Sequence, residues 1–478
     1  MSNDNGNMIE QWLEKEGYRL IDKDYRQYIQ TARQWFEGYC SDFHDYKIRV
    51  QKVQKKLKRY SMGAAKMVCE DFATLLLNEK VQINAEGFSA LPDLLRDNRF
   101  FERGNRLVEW AFALGTGAMV EFTDAEGNPT IDYIRGDLIY PLNWDGDNIT
   151  ECAFGSRRVL GAKKDAGEGY YVQVHERREG QYYIRNVWLD KDGEEMPTPE
   201  GVEPESGPFD VPLFQIIRPN TVNSIDPDSP MGMSIYGAAI DQLKAVDLVY
   251  DSYVNEFQLG KKRVMVPQSF TQQALQDDGT YQPFFDPNDL IYTVYQVGDN
   301  AADKLTPVDM TLRATEHEQG LQRMLDLLSK RCGLGTGRYR FDGTRQGTAK
   351  TATEVISEDS DLYQSIKRHE KPLERAIIGM VRALSLLSGG SPDLNVSVEF
   401  DDSIFEDTGT TIERNIKLVA AGLKSKKGAI MEIAGCDEKE AEKRMQEIAD
   451  EQTIEAPNID TLFAQEKGDQ HGVQAQGQ

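Results

Sequence analysis

The sequence is short of positive charge: 55 Lys and Arg face 79 Asp and Glu, a formal net charge of -24. A general nucleic-acid wrapper is excluded, because such proteins neutralise phosphates with a surplus of cations. What remains is a solvated acidic surface, or one that keeps a polyanion from sticking. Cysteine is scarce too, and Cys40, Cys69, Cys152, Cys332 and Cys436 show no C-x-x-C spacing, which argues for a reducing compartment and against a disulfide frame or zinc site. The histidines His44, His175, His317, His369 and His471 lie far apart, with no H-E-x-x-H or H-x-x-x-H pair, and no G-x-S-x-G elbow occurs. Asp401 and Asp402 are adjacent, as so acidic a composition makes common, and nothing nearby completes a two-metal site. No metal or cofactor is expected. Long hydrophobic runs are missing as well: WAFALGTGAMV, at 110–120, is bounded by Glu109 and Glu121 and falls well short of the ~20 residues of a membrane span. The polar, acidic MSNDNGNMIEQW is no secretion signal, so a soluble intracellular protein is expected, with no membrane partner.

What is present suits a globular chain of several domains: 478 residues, 39% of them hydrophobic. Residues 22–77 read as helical and strongly charged, with KIRVQKVQKKLKRY (Lys47 to Tyr60) a basic island taken as a solvated helix or loop face. A helix over 103–114 runs into Gly115 and Gly117, after which alternating segments and an Glu-Gly-Asn turn predict a hairpin and a run of strands to about Leu189. The Pro/Glu-rich tract from Asp192 to Pro208 reads as a mobile surface excursion. Ile235 to Gly260 is predicted as one long helix, followed by a β-like, Pro-rich insert and a second long helix over about 309–331. A third begins near Thr351 and carries Pro372, which should bend it near 368–372. A strand at NVSVEF, a compact helical unit and a polar tail complete the chain.

Between the second and third long helices lies RYRFDGTRQGTAKTATEV, which looks at first like a phosphate loop. That loop requires G-x-x-x-x-G-K-[ST], with lysine directly after the second glycine. Here Gly343 and Gly347 are one residue too close and Lys350 trails by three. The preceding GLGTGRYRF is no buried parallel strand either. A nucleotide-binding enzyme using Gly343 to Thr351 therefore stays an alternative without positive support.

Five stretches in order, GTGAMVEF with IDYIRGDLIYPLNWD, then SPMGMSIYGAAIDQLKAVDLVYDSYVNE, GLGTGRYRFDG with TATEV, and VSVEFDDSIFEDTGTTIERNIKLVAAGLKS, resemble the portal proteins of tailed bacteriophages, in the branch found in many phages of Gram-positive hosts. The resemblance spans about 20–453. It implies an α+β, portal-type fold and a non-enzymatic subunit of a homo-oligomeric ring, usually of twelve copies, at one capsid vertex. Double-stranded DNA would pass through its channel in packaging and ejection, and the terminase large subunit, the head-completion adaptor, and the major capsid and scaffolding proteins would be partners. The implied location is the virion, with assembly in the host cytoplasm. By the same resemblance 1–234 is a helical then β-rich wing, 235–262 and 309–332 the two stem helices, 263–308 a small α/β clip, 333–350 a channel loop, 351–400 the kinked helix and returning strand, 401–453 a helical crown, and 454–478 a disordered tail. Arg338, Arg340, Arg345 and Lys350 would be loose phosphate contacts on a glycine-rich loop free to move, and Lys261, Lys262 and Arg263 basic contacts where clip meets stem. A different capsid or tail-connector structural protein is the second alternative.

Overall fold

The computed structural model of the chain describes residues 4–50, 53–124, 126–159, 168–199, 202–260, 263–267, 273–275, 281–283, 292–295, 306–308, 311–340, 360–400, 408–434, 436 and 438–455. Contacts divide the chain into two compact units, Met1–Thr348 with Glu358–Asp401, and Ala349–Ser357 with Asp402–Gln478.

In the first unit, helix α1 (Asp4–Lys15) places Ile9, Trp12 and Leu13 on one face, at the spacing that makes one stripe of a helix. Helix α2 (Lys23–Phe36) is capped by Asp22, whose side chain accepts from the Asp24 N–H, and a short α3 (Ser41–His44) follows. Strands β1 (Asp45–Val50) and β2 (Val53–Lys58) then pair antiparallel. This corrects the helical expectation for the basic island. Tyr46 and Ile48 alternate with Lys47 and Arg49 at period two, and abundant lysine hid that alternation. After α4 (Ala64–Leu76), β3 (Gln82–Ala85), α5 (Leu91–Asp97) and α6 (Phe100–Leu114), Phe72 of α4 stacks on Phe112 of α6 with ring centroids 5.1 Å apart.

The β-rich body follows as expected. Strands β4 (Gly117–Thr123) and β5 (Pro129–Arg135) form the anticipated hairpin, and β12 (Phe214–Ile217) joins β4 on its other edge. Strands β6 (Ile139–Asp145), β7 (Asn148–Val159), β8 (Glu168–Arg178) and β9 (Gln181–Leu189) make an antiparallel meander that buries its inner face on α1, with Tyr140, Val172, Val174 and Leu189 packed against Trp12 and Leu13. Burying a side chain of that size contributes about 1.5–3 kcal/mol, so α1 is held by its stripe rather than by propensity. The acidic tract departs from expectation: β10 (Glu195–Met196) and β11 (Glu205–Phe209) both pair with β9, and Trp12 Nε1 donates to Glu195 at 3.0 Å. The sheet edge and Trp12 supply partners that composition does not reveal.

Helix α7 (Ile240–Leu259) begins five residues later than predicted, because a 3-10 turn at Gly237–Ala239 precedes it. The insert contains β13 (Arg263–Pro267), β14 (Gln273–Leu275), β15 (Tyr281–Pro283), β16 (Tyr292–Tyr295) and β17 (Thr306–Val308). Strand β13 lies between β16, parallel, and β17, antiparallel, and the described residues of the insert are strand. Helix α8 (Ala314–Cys332) also starts later than predicted. Helix α9 (Ser360–Leu387) holds Pro372, and β18 (Val396–Glu399) pairs with β3. In the second unit α10 (Thr408–Ala420), α11 (Lys426–Ala434) and α12 (Glu438–Glu455) follow, with Lys427 bound to Glu438 and, at 2.6 Å, to Glu442. Asp401, Asp402, His471 and the tail from 456 lie outside the described residues.

Candidate functional site

Helices α7 and α8 are an antiparallel pair. Glu256 meets Arg313, Val249 approaches Gly320, and Arg331 Nε donates to the Ala238 carbonyl at 3.1 Å, so partners run in opposite directions along the two helices. At the insert end Arg313 grips Glu256 with two side-chain bonds, at 2.8 and 3.1 Å, and its hydrogen bonds hold that carboxyl down to about 2. His317 stacks on Tyr253 in the same cluster, ring centroids 5.5 Å apart. Further along, Asp247 is buried and accepts from His44 Nε2 at 3.0 Å, Ser61 Oγ at 3.0 Å and the Met62 N–H at 2.8 Å, while Asp251 accepts from the Tyr60 N–H at 2.9 Å. These bonds fasten the base of the β1–β2 hairpin to α7.

The glycine-rich stretch after α8 starts as a tight cap. Gly333, Gly335 and Gly337 all take left-handed φ of 88°, 74° and 81°, and the Leu334 N–H returns to the Ser329 carbonyl at 2.9 Å, closing a Schellman-type end. The Gly337 N–H donates to Asp326 at 3.1 Å and Gln322 Nε2 to the Tyr339 carbonyl at 2.6 Å. Residues 333–340 are thus folded back on α8, and their glycines provide special backbone angles rather than the freedom expected of them. Arg338 pairs with Asp71 of α4 at 2.7 and 3.3 Å, so its charge is already matched. Arg340 is exposed, its guanidinium lying over Gly337. Arg345 and Lys350, with the whole Gly343 to Thr351 segment, fall outside the described residues, as do Lys261 and Lys262. Arg263 opens β13, opposite Val308.

Pro372 has no N–H to give the Arg368 carbonyl, and Asn220 fills the gap, its Nδ2 donating to that oxygen at 2.8 Å. The Asn220 N–H also donates to His369 Nδ1 at 2.9 Å. Burial, then the neighbouring Arg368, holds the His369 imidazole down to about 3, which keeps Nδ1 an acceptor. Beside this segment a groove of about 600 Å³ is lined by Gln215 and by Lys371, Arg375 and Arg382 of α9.

The two glycine motifs cross. Gly232 donates its N–H to Thr116 Oγ1 at 3.0 Å, and the Gly115 and Gly232 backbones touch so closely that a Cβ on Gly115 would sit 2.6 Å from the Gly232 carbonyl carbon. Tyr25 of α2 donates to the Gly232 carbonyl, and the Ser234 N–H donates to the Tyr28 hydroxyl at 3.1 Å. This crossing aims the start of α7.

A model of the phage portal proteins, SPP1 Gp6-like, matches residues 18–456. The chain belongs to that family. No curated protein matches it. Among solved structures it is similar to a chain of the virion of a native gene transfer agent particle, at 13% identity over 90% of this chain and 99% of that one, TM-score 0.37. Another similar chain is from the neck of a native gene transfer agent particle computed with C12 symmetry, at 14% identity over 77% and 88%, TM-score 0.34. The role of the chain is that of a portal protein, and portal proteins are structural components.

Within this portal chain, residue-by-residue reading missed Asp71, Asp247 and Asn220. For Asn220 a signal existed: an internal proline obliges some donor to reach the carbonyl four residues back. The ion pair of Arg338 with Asp71 spans 267 positions and leaves no local pattern.

Glu121 on β4 was read only as a boundary of an apolar run, yet it is fully buried and neither carboxylate oxygen makes a well-formed hydrogen bond. Burial drives its pKa well above the ordinary carboxylate value, against a weaker pull from its own N–H and Gln215. A raised folded pKa gives stability that is full below pH 4.5 and is lost as pH rises toward the folded value, at about 1.4 kcal/mol per pH unit. Glu121→Gln is therefore expected to match wild type at pH 4 and to be the more stable of the two at pH 7. Urea midpoints at the two pH values check this, and an equal shift at both would contradict it.

Proposed function

We propose that copies of this chain close into a ring, twelve by the family resemblance, which sits at one capsid vertex and conducts double-stranded DNA during packaging and ejection. The observation that carries the reading is the antiparallel α7–α8 pair with a strand-built insert at its tip, inside a chain matched by the portal family over 18–456. Leu248 and Phe257 on α7 and Leu312 and Leu327 beside or on α8 are exposed large apolar residues, which an isolated pair leaves in water and a ring of packed stems covers. Residues 235–262 and 309–332 then form the stem and 263–308 the clip, where the terminase large subunit and later the head-completion adaptor dock. Residues 1–234 with 351–400 form the wing, 401–453 the crown, and the ring acts without catalysis. Assembly takes place in the host cytoplasm with the major capsid and scaffolding proteins, and the finished ring stays in the virion.

In this reading the channel contacts are Arg340, Arg345 and Lys350, since Arg338 is matched by Asp71. An acidic wall with few cations lets DNA slide rather than stick. Replacing the three with alanine is expected to leave the ring assembled, to lower the salt slope of DNA association by about one unit per lost contact, and to reduce packaging yield. Unchanged slope and yield would remove the loop from the channel. Loss of ATP binding in Lys350→Ala alone would favour the nucleotide alternative.

A further inference from the structure

Among the described elements the hairpin of β1 and β2 is held at its base, by α3 and by the bonds of Asp247 and Asp251 on α7. A two-stranded hairpin standing alone in water is marginal at best. Its composition is also unlike the rest of the chain: residues 45–59 hold seven Lys or Arg against one Asp, a net +6 in a protein of net -24. Its base is well fixed. Lys58 lies over the Tyr39 ring at 3.8 Å and Arg59 over Tyr46 at 4.4 Å, and Asp247 and Asp251 hold the returning chain. Beyond the base both faces are exposed. The register puts Tyr46, Ile48, Lys55 and Leu57 on one face and Lys47, Arg49, Lys56 and Lys58 on the other, with Ile48 37% and Leu57 38% exposed. Among the described residues Lys47, Arg49, Lys55 and Lys56 make no ion pair within the chain.

A surface of matching character lies elsewhere on the same unit. Arg218 donates to the Pro230 carbonyl and, at 2.7 Å, to the Asp147 carbonyl, which ties the β6–β7 turn to the loop 221–230. The loop carries Val222, 83% exposed, and Ile225, 47% exposed, in sequence with Asp226 and Asp228, and the turn tied to it carries Asp145 and Asp147. Asp145 and Asp228 are exposed and make no ion pair among the described residues. The hairpin carries an apolar face with Lys55 backed by a cationic face, and the loop carries exposed apolar residues beside carboxylates. Two unlike patches on one chain are what a head-to-tail contact requires, and such contacts make rings where the rotation between neighbours closes.

We propose that the β1–β2 hairpin of one copy docks on the 145–147 and 221–230 surface of the next, and that this contact links neighbours in the ring. The inference rests on the ring reading. DNA fits less well, because phosphates match the lysine face and leave Ile48 and Leu57 uncovered.

The test uses full-length protein and sedimentation mass, with circular dichroism to confirm that each variant is folded. Lys47→Glu with Lys55→Glu and Lys56→Glu should raise the concentration needed for assembly at least tenfold. Adding Asp145→Lys and Asp228→Lys to the same chain should restore it to within about threefold of wild type, because complementary charge is regained. In a second variant, Leu57→Cys with Ile225→Cys, oxidation should produce a ladder of linked subunits on a denaturing gel. Assembly unchanged by the lysine variant, or no recovery in the combined variant together with no ladder, overturns the proposal while leaving the ring itself intact. Normal assembly with weakened DNA retention would assign the hairpin to DNA instead. A wild-type protein that stays monomeric overturns the ring reading, a result separable from all of these.

Discussion

Gly115→Ala is expected to destabilise the fold by about 4 kcal/mol and to leave little soluble protein. Two independent effects add. Gly115 sits at φ 88°, a left-handed conformation that costs a side-chain-bearing residue about 1–3 kcal/mol. Its Cβ would also press on backbone, the Gly232 and Met233 carbonyl carbons at 2.6 and 2.9 Å, where no rotamer change relieves the overlap, and overpacking of this kind costs about 1–3 kcal/mol more. The consequence reaches beyond the crossing point. Gly232 is bound by Thr116 and Tyr25, and the Ile235 N–H donates to the Phe112 carbonyl at 2.9 Å, so displacing this segment moves the entry to α7. Urea denaturation of the full chain measures the loss. A Gly115→Ala protein within about 1 kcal/mol of wild type would show that the two backbones part easily and that the crossing does not set the entry to α7.

The second large effect is expected at Asp247. Alanine there removes the acceptor for His44, Ser61 and the Met62 N–H together, leaving Nε2 of a buried imidazole and a backbone donor without partners. Truncating one member of a buried, hydrogen-bonded pair typically costs about 3–5 kcal/mol, most of it the penalty on the groups left behind. Asp251 would still hold the Tyr60 N–H, so the loss should be local first. Protease cutting within 45–58 is then expected to accelerate before global unfolding does. Asp247→Asn, which keeps acceptor capacity, should lose less. Equal cutting rates in Asp247→Ala and wild type would mean that the hairpin is anchored by something other than this carboxylate.

Much of the β-rich body was legible from sequence for a simple reason. From Gly117 to Leu189 β-branched and aromatic residues recur in short runs, even though β4 and β6 open on consecutive buried residues, and the turns announce themselves, as where Glu179 and Gly180 take φ of 52° and 90° between β8 and β9. The basic hairpin was hidden because lysine occupies both faces, so its period-two pattern rested on Tyr46, Ile48 and Leu57 alone. Helix ends were misplaced where tertiary contact overrides local preference: Gly237 packs beside the Tyr28 hydroxyl and holds the 3-10 turn before α7. The residues of the glycine-rich stretch divide in the same way. Their number and charge were visible in the sequence, and glycine directly after a helix is a local signal for the left-handed cap at Gly333, whereas the pairing of Arg338 with Asp71 joins residues 267 positions apart. The family was legible because its motifs mark backbone crossings such as Gly115 with Gly232, and those tolerate few residue types.

The most direct measurement is the particle itself: purified full-length protein, its mass by sedimentation and its outline by negative-stain images viewed down the particle axis. A ring of many subunits with an open central hole wide enough for duplex DNA is the predicted result. A strictly monomeric protein over a wide concentration range, or an assembly with no axial channel, would contradict the account.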